Sequence, residues 1–135
     1  MPRFRLIEHT ADIGLTAGGK TLDEAFANAA YGMFSIMADL NGIAEKESRT
    51  VELQHPEPER LLFDWLNSLL YFFDVDNLLF KRFEVRLFDN NLEATGYGER
   101  YDSSRHHLKL GVKSATYHML NVDSSQNRVR VIFDV

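Results

Sequence analysis

The sequence contains no cysteine, which removes disulfides, thiolate zinc sites and cysteine nucleophiles together and is compatible with a reducing compartment. Any metal must therefore be held by oxygen or nitrogen donors. No apolar run approaches the roughly 20 residues needed to span a bilayer, and Met1-Pro2-Arg3-Phe4-Arg5 lacks the apolar stretch of a secretion signal. A soluble, cytoplasmic protein with no membrane partner is expected. Excess positive charge is missing too. The 15 Lys and Arg face 20 Asp and Glu, for a formal net charge of -5, so strong direct nucleic-acid binding by bulk electrostatics is not expected. An RNA-related role would have to work through a protein partner. With only 3 prolines and no repeat or Pro/Ser-rich linker, nothing divides the 135 residues, and residues 1–135 read as a single domain.

What is present is core-forming material, with 44% hydrophobic residues including 10 Phe. Phe4 to Glu8 reads as a short strand and Ile13 to Thr16 as an extended piece closing at Gly18-Gly19, with Asp12 at its edge. Thr21-Leu22-Asp23-Glu24 has the pattern of a capping box, and apolar residues recur at three- and four-residue spacing from Leu22 to Met37. A helix over about 21–38 follows. Pro58, in a first turn made acidic by Glu57 and Glu59, opens a second helix over about 58–75, with a broad apolar stripe from Leu61 to Phe73.

Between the helices, Glu45 to Leu53 alternates weakly, as an exposed or edge strand would. Phe83, Val85 and Leu87 lead through Asp89-Asn90-Asn91 to Leu92, Ala94 and Gly96, a hairpin signature. A second hairpin is expected between the runs 116–122 and 129–133. In the last run Val129, Val131 and Phe133 share one face, while Arg128, Arg130, Ile132 and Asp134 share the other, so Asp134 points away from the core. The fold class is α+β: a single two-layer domain with mixed or antiparallel strands and two main helices.

Familiar catalytic patterns are missing. There is no P-loop, no dinucleotide fingerprint, no Gly-x-Ser-x-Gly elbow and no His-Glu-x-x-His helix, and Gly96-Tyr97-Gly98-Glu99 is too short to cradle a phosphate. His106-His107 resembles a nitrogen-ligand pair, but neighbours on a strand face opposite sides and no third ligand is marked, so zinc is disfavoured. His118 reads as structural or exposed. The informative features lie near the two ends. Asp134 stands beside the α-carboxylate of Val135, and Asp12 lies in His9-Thr10-Ala11-Asp12. If the terminal strands are neighbours, these three groups converge into an acidic pocket suited to a hard cation. The alternative is a capped turn at Asp12 and a solvated charge at Asp134. His9 and Lys113 are candidates for a flanking functional surface, where either could contact a phosphate, against the plainer reading of a turn-pinning histidine and a solvated lysine.

Four segments in succession, His9-Thr10-Ala11-Asp12-Ile13-Gly14, Leu61 to Leu70, Val112-Lys113-Ser114-Ala115-Thr116-Tyr117-His118 and Phe133-Asp134-Val135, resemble the archease family across almost the whole chain. The resemblance implies a small α+β protein that is not an enzyme itself. It would act as the protein cofactor of the tRNA-splicing RNA ligase, promoting guanylylation of the ligase and its multiple turnover. It further implies a divalent ion, Ca²⁺ foremost with Mg²⁺ and Mn²⁺ as alternatives, held at Asp12, Asp134 and Val135. Two rival readings remain at this stage, a stand-alone metal-dependent phosphoesterase and a general chaperone or adaptor.

Overall fold

In the computed structural model, residues 3–8 and 12–135 are described. The chain begins with strand β1 (Phe4–Glu8), β2 (Asp12–Gly18) and helix α1 (Leu22–Met37). The capping box forms at least in its first half, with Thr21 accepting a hydrogen bond from the Glu24 amide at 3.2 Å. Buried Ala25, Phe26, Ala29, Ala30, Met33, Phe34 and Met37 follow the helical period. The helix ends where Ala38 becomes extended and bridges Leu108. At Gly32 the helix lies so close to the sheet that a Cβ would overlap Leu15 Cδ1 and the Phe4 ring.

Strand β3 (Glu47–Gln54) leads to helix α2 (Pro58–Asp76), which starts on Pro58 and ends on Asn77 in the left-handed conformation, φ 57°. Six apolar residues of α2, from Leu61 to Leu70, are buried, each stabilising the fold by about 2 kcal/mol relative to exposure. Trp65 ties the helices together, its indole N–H donating to the Phe26 carbonyl at 3.2 Å. Strands β4 (Leu78–Phe88) and β5 (Asn91–Arg100) then form the expected hairpin, longer than its sequence pattern. Asp89 and Asn90 both take positive φ, 48° and 63°, as a two-residue hairpin turn requires. The remaining strands are β6 (Ser114–Ala115), β7 (Asn121–Asp123) and β8 (Arg128–Asp134).

These strands make two sheets, and every described pairing is antiparallel, so the mixed alternative is set aside. One sheet has the order β3-β5-β4, with β3 at an edge as its weak alternation implies. The other runs β1-β2-β8, with β6 and β7 both pairing along the far side of β8. Both sheets and both helices contribute to one buried apolar cluster. The hairpin expected over 116–122 is shorter than its pattern. Beyond the Thr116 amide bond to the Ile132 carbonyl, the run forms a strand against β8 only at Asn121–Asp123, because Tyr117 to Leu120 close a turn through a Leu120 N–H bond to the Tyr117 carbonyl, with Met119 at φ 55°.

Candidate metal-binding site at the end of the first sheet

Strand β8 lies directly beside β2, and the register sets Asp12 opposite Asp134. The type of pairing follows from the hydrogen bonds on the other side of β8. The Asp134 carbonyl accepts from the Lys113 amide at 2.8 Å and the Ile132 carbonyl from the Thr116 amide at 3.0 Å, so the main-chain groups of both residues point away from β2. Asp12 and Asp134 are therefore a non-hydrogen-bonded antiparallel pair, the kind with Cα atoms about 4.5 Å apart and side chains closest. Asp134 is exposed and Asp12 half-buried. Val135 packs against the core, which anchors the main chain just beyond Asp134.

The donor chemistry fits a hard cation. The ion pairs of the described residues engage carboxylates such as Glu45, Glu47, Asp64, Asp76 and Glu99 but neither Asp12 nor Asp134. Like charges directly opposite on neighbouring strands repel, and an oxygen-seeking cation relieves that repulsion. Among the described residues no group of three or more carboxylate, imidazole or thiolate side chains is assembled. A cation held by the two aspartates would draw its other ligands from main-chain oxygen, of which Val135 offers the nearest in sequence, and from water.

Neighbouring segments are fixed by specific contacts. The Asn67 side chain of α2 clamps the outer edge of β6, accepting from the Ala115 amide at 2.9 Å and donating to its carbonyl at 3.5 Å. One turn earlier Phe63 stacks on Tyr117 with centroids 4.0 Å apart and planes 9° from parallel. Ser114, next to Lys113, is the register partner of Asp134 on the β6 side. On the other side, Gly14 leaves room for Ile132. A Cβ there would stand 2.8 Å from Ile132 Cδ1 and 3.0 Å from Ile7 Cβ. Ile132 is consequently buried although it lies on the face shared with Asp134, a burial that strand alternation alone does not reveal.

The other candidates fall in different places. Lys113 contributes its main-chain N–H to Asp134, and its side chain is exposed. His9, with Thr10 and Ala11, lies outside the described residues. His106 and His107 are not on a strand, as their sequence reading assumed, but in the connection between β5 and β6. There His106 is a structural residue. Its Nδ1 accepts from the Asp102 amide at 2.8 Å, so Nε2 carries the proton directed at Glu99 Oε2, 3.0 Å away. His118 is exposed in the turn after Tyr117.

Glu99, which sequence reasoning missed, is the buried centre of this second cluster. Its carboxylate accepts from the Ala44 amide at 2.7 Å and pairs with Arg105 and His106. The amide bond foremost, opposed by burial and helped by Arg105 and His106, pulls its pKa down to about 2. This network fastens the β5–β6 connection to the segment before β3, and nothing in the sequence marks it. Asn67 did carry a signal: a polar residue following Trp65-Leu66 on a largely apolar helix.

Fold and site together define a small α+β protein that presents a pair of facing carboxylates at one end of a sheet. All four of the segments singled out in sequence bear on that end: Asp12 and Gly14, Phe63 and Asn67, Lys113 to Tyr117, and Phe133 to Val135. The chain belongs to the archease family: residues 4–135 match the Archease protein family (MTH1598/TM1083). It is 38% identical over 137 residues to the protein archease of Sulfurisphaera tokodaii, covering 100% of this chain and 99% of that protein. The protein archease of Pyrococcus abyssi is 37% identical over 127 residues, covering 91% and 89%. The solution structure of protein 1598 from Methanobacterium thermoautotrophicum superposes with a TM-score of 0.84 at 34% identity, covering 100% of both chains.

Proposed function

We propose that this chain is a protein cofactor of the tRNA-splicing RNA ligase, and that the end of the sheet carrying Asp12, Asp134 and Val135 is its working end. The observation that carries the reading is the cross-strand pairing of Asp12 with Asp134, two carboxylates 122 positions apart in sequence and adjacent in space. Family membership supports the partner, and the convergence of the motif segments on this end supports the location. A divalent cation bound there would supply charge neutralisation for phosphate oxygens during nucleotidyl transfer. The residues of this chain hold and orient: Asp12 and Asp134 provide the anionic oxygens, Val135 a main-chain oxygen, and Asn67 and Lys113 brace the strand edge beside Asp134. Lys113 and His9 would flank the docking surface.

The test is guanylylation of the purified ligase with and without this chain, in calcium or magnesium. Wild type should raise the rate and sustain repeated turnover, while Asp12→Ala with Asp134→Ala should lose both effects and keep its helical spectrum. A folded double variant that stimulates as well as wild type would refute the proposal.

A further inference from the structure

The outer face of the β1-β2-β8 sheet, the side away from α1, carries three arginines at the end opposite Asp12 and Asp134, in a protein that is acidic as a whole. Antiparallel register puts Phe4, Leu15, Ala17, Val129, Val131 and Phe133 on the core face. Arg5, Thr16, Arg130, Gly18 and Arg128 fall on the other. Arg5, Thr16 and Arg130 form one row across three strands, so the two arginines stand about 10 Å apart at their backbones. Gly18 and Arg128 form the next row, and the Arg128 side chain passes over Gly18, where a Cβ would lie 3.7 Å from its Cγ. An open cleft of about 450 Å³ at this end of the sheet is lined by Arg5, Thr16, Gly18 and Arg128 together with Arg3, Phe4 and Ala17.

These arginines differ from the others in the chain. The ion pairs of the described residues use Arg49, Arg60, Arg82, Arg86, Arg100 and Arg105 but not Arg5, Arg128 or Arg130. Arg5 and Arg128 are exposed, and Arg130 is oriented by donation from its Nε to the Met119 carbonyl at 2.8 Å, which leaves its terminal nitrogens available. Asp123, across from Arg128, accepts from Ser125 and from the Gln126 amide and feels Arg128 as a longer-range attraction outside ion-pair contact. Arg3, which also borders the cleft, lies with its guanidinium over the Tyr31 ring at 4.2 Å and is not counted.

Against the expectation from net charge that an RNA role works only through a protein partner, we propose that this arginine cluster binds the phosphodiester backbone of single-stranded RNA through Arg5, Arg128 and Arg130. Guanidinium forks match phosphate oxygens, and Thr16 adds a hydroxyl donor between two of them. The arginine rows offer no aromatic surface for base stacking, since Phe4 is turned towards Tyr31, so contact is with the backbone and independent of sequence. An acidic protein surface fits less well, because protein interfaces centre on buried apolar anchors and these rows offer none. That the strand is RNA rather than DNA rests on the function proposed above. The arginine row at Thr16 and Arg130 lies four residues, about 13 Å, from Asp12 and Asp134 on the same face. A strand held there would direct one end towards the carboxylate pair.

The experiment is fluorescence anisotropy of a labelled single-stranded RNA with the full chain in EDTA, across a salt series. Three phosphate contacts predict a log–log salt slope of about -2. The Arg5→Glu, Arg128→Glu double variant should bind at least tenfold more weakly, and Asp12→Ala with Asp134→Ala should bind at least as tightly as wild type, so failure of the metal reading would leave this result intact. No binding by wild type, or unchanged binding by the charge-reversed variant, overturns the proposal. So does displacement of the RNA by polyglutamate at equal charge, which would mark an acidic protein as the partner. Should the reversed variant not fold, Arg5→Gln with Arg128→Gln decides: a severalfold loss supports the proposal, and wild-type affinity refutes it.

Discussion

Replacing Asp12 by Asn should change the stability of this protein in opposite directions with and without calcium. The two aspartates face each other in a non-hydrogen-bonded pair, which sets their Cβ atoms roughly 5 Å apart, taken here as the separation of the charges. Because Asp134 is exposed, a water-like dielectric applies, and the repulsion is roughly 0.8 kcal/mol. A chain of 135 residues unfolds with an entropy of about 0.28 kcal/mol per degree, so relief of that repulsion raises Tm by about 3 °C. In EDTA at low salt, Asp12→Asn should therefore melt slightly above wild type. With calcium at a hundred times its Kd, wild type gains about 2.7 kcal/mol, or about 10 °C, whereas the variant, lacking one of two anionic ligands, gains far less. Thermal melts followed by circular dichroism read both effects in one series. An equal calcium shift in variant and wild type would refute the reasoning, and so would a variant that melts below wild type in EDTA.

Other perturbations report on the supports of the site and on the second buried cluster. Asn67→Ala leaves the Ala115 amide and carbonyl without their partner, costing about 1–3 kcal/mol, and should weaken calcium binding measured by calorimetry because β6 flanks Asp134. Gly14→Ala forces Ile132 and Ile7 apart and should lower the urea midpoint by the equivalent of about 1–3 kcal/mol. The Glu99 pKa lies at about 2 when folded against about 4.3 when unfolded. Its contribution is thus complete above the unfolded value and is lost as pH falls towards 2. At 1.36 kcal/mol per pH unit that is on the order of 3 kcal/mol, so urea midpoints between pH 5 and pH 2.5 should fall less steeply for Glu99→Gln than for wild type.

The parts legible in sequence are those decided locally. The Thr21 cap, the Pro58 start and the Asp89-Asn90 turn each act within a few residues, and the structure keeps all of them. The face on which Asp134 lies followed from alternation. What alternation could not supply is which strand sits beside β8, because β2 and β8 are joined by pairing across nearly the whole chain. Strand β6 was invisible for a related reason: two residues carry no period, and Asn67 from a distant helix holds its edge. The turn at Tyr117 to Leu120 replaces part of an expected hairpin: Met119 takes φ 55° and, with Tyr117, stays exposed, so the alternating apolar residues there do not mark a buried strand face. The role of His106 was hidden on the same principle, since its partner Glu99 is fixed by tertiary contact and not by spacing.

Calorimetric titration of Ca²⁺ into the metal-free protein decides whether Asp12 and Asp134 jointly hold a divalent cation. One ion per chain should bind saturably, and this binding should be lost in both Asp12→Asn and Asp134→Asn. Binding that survives in the Asp12→Asn, Asp134→Asn double variant, or no saturable binding by wild type, would contradict joint binding by the two aspartates.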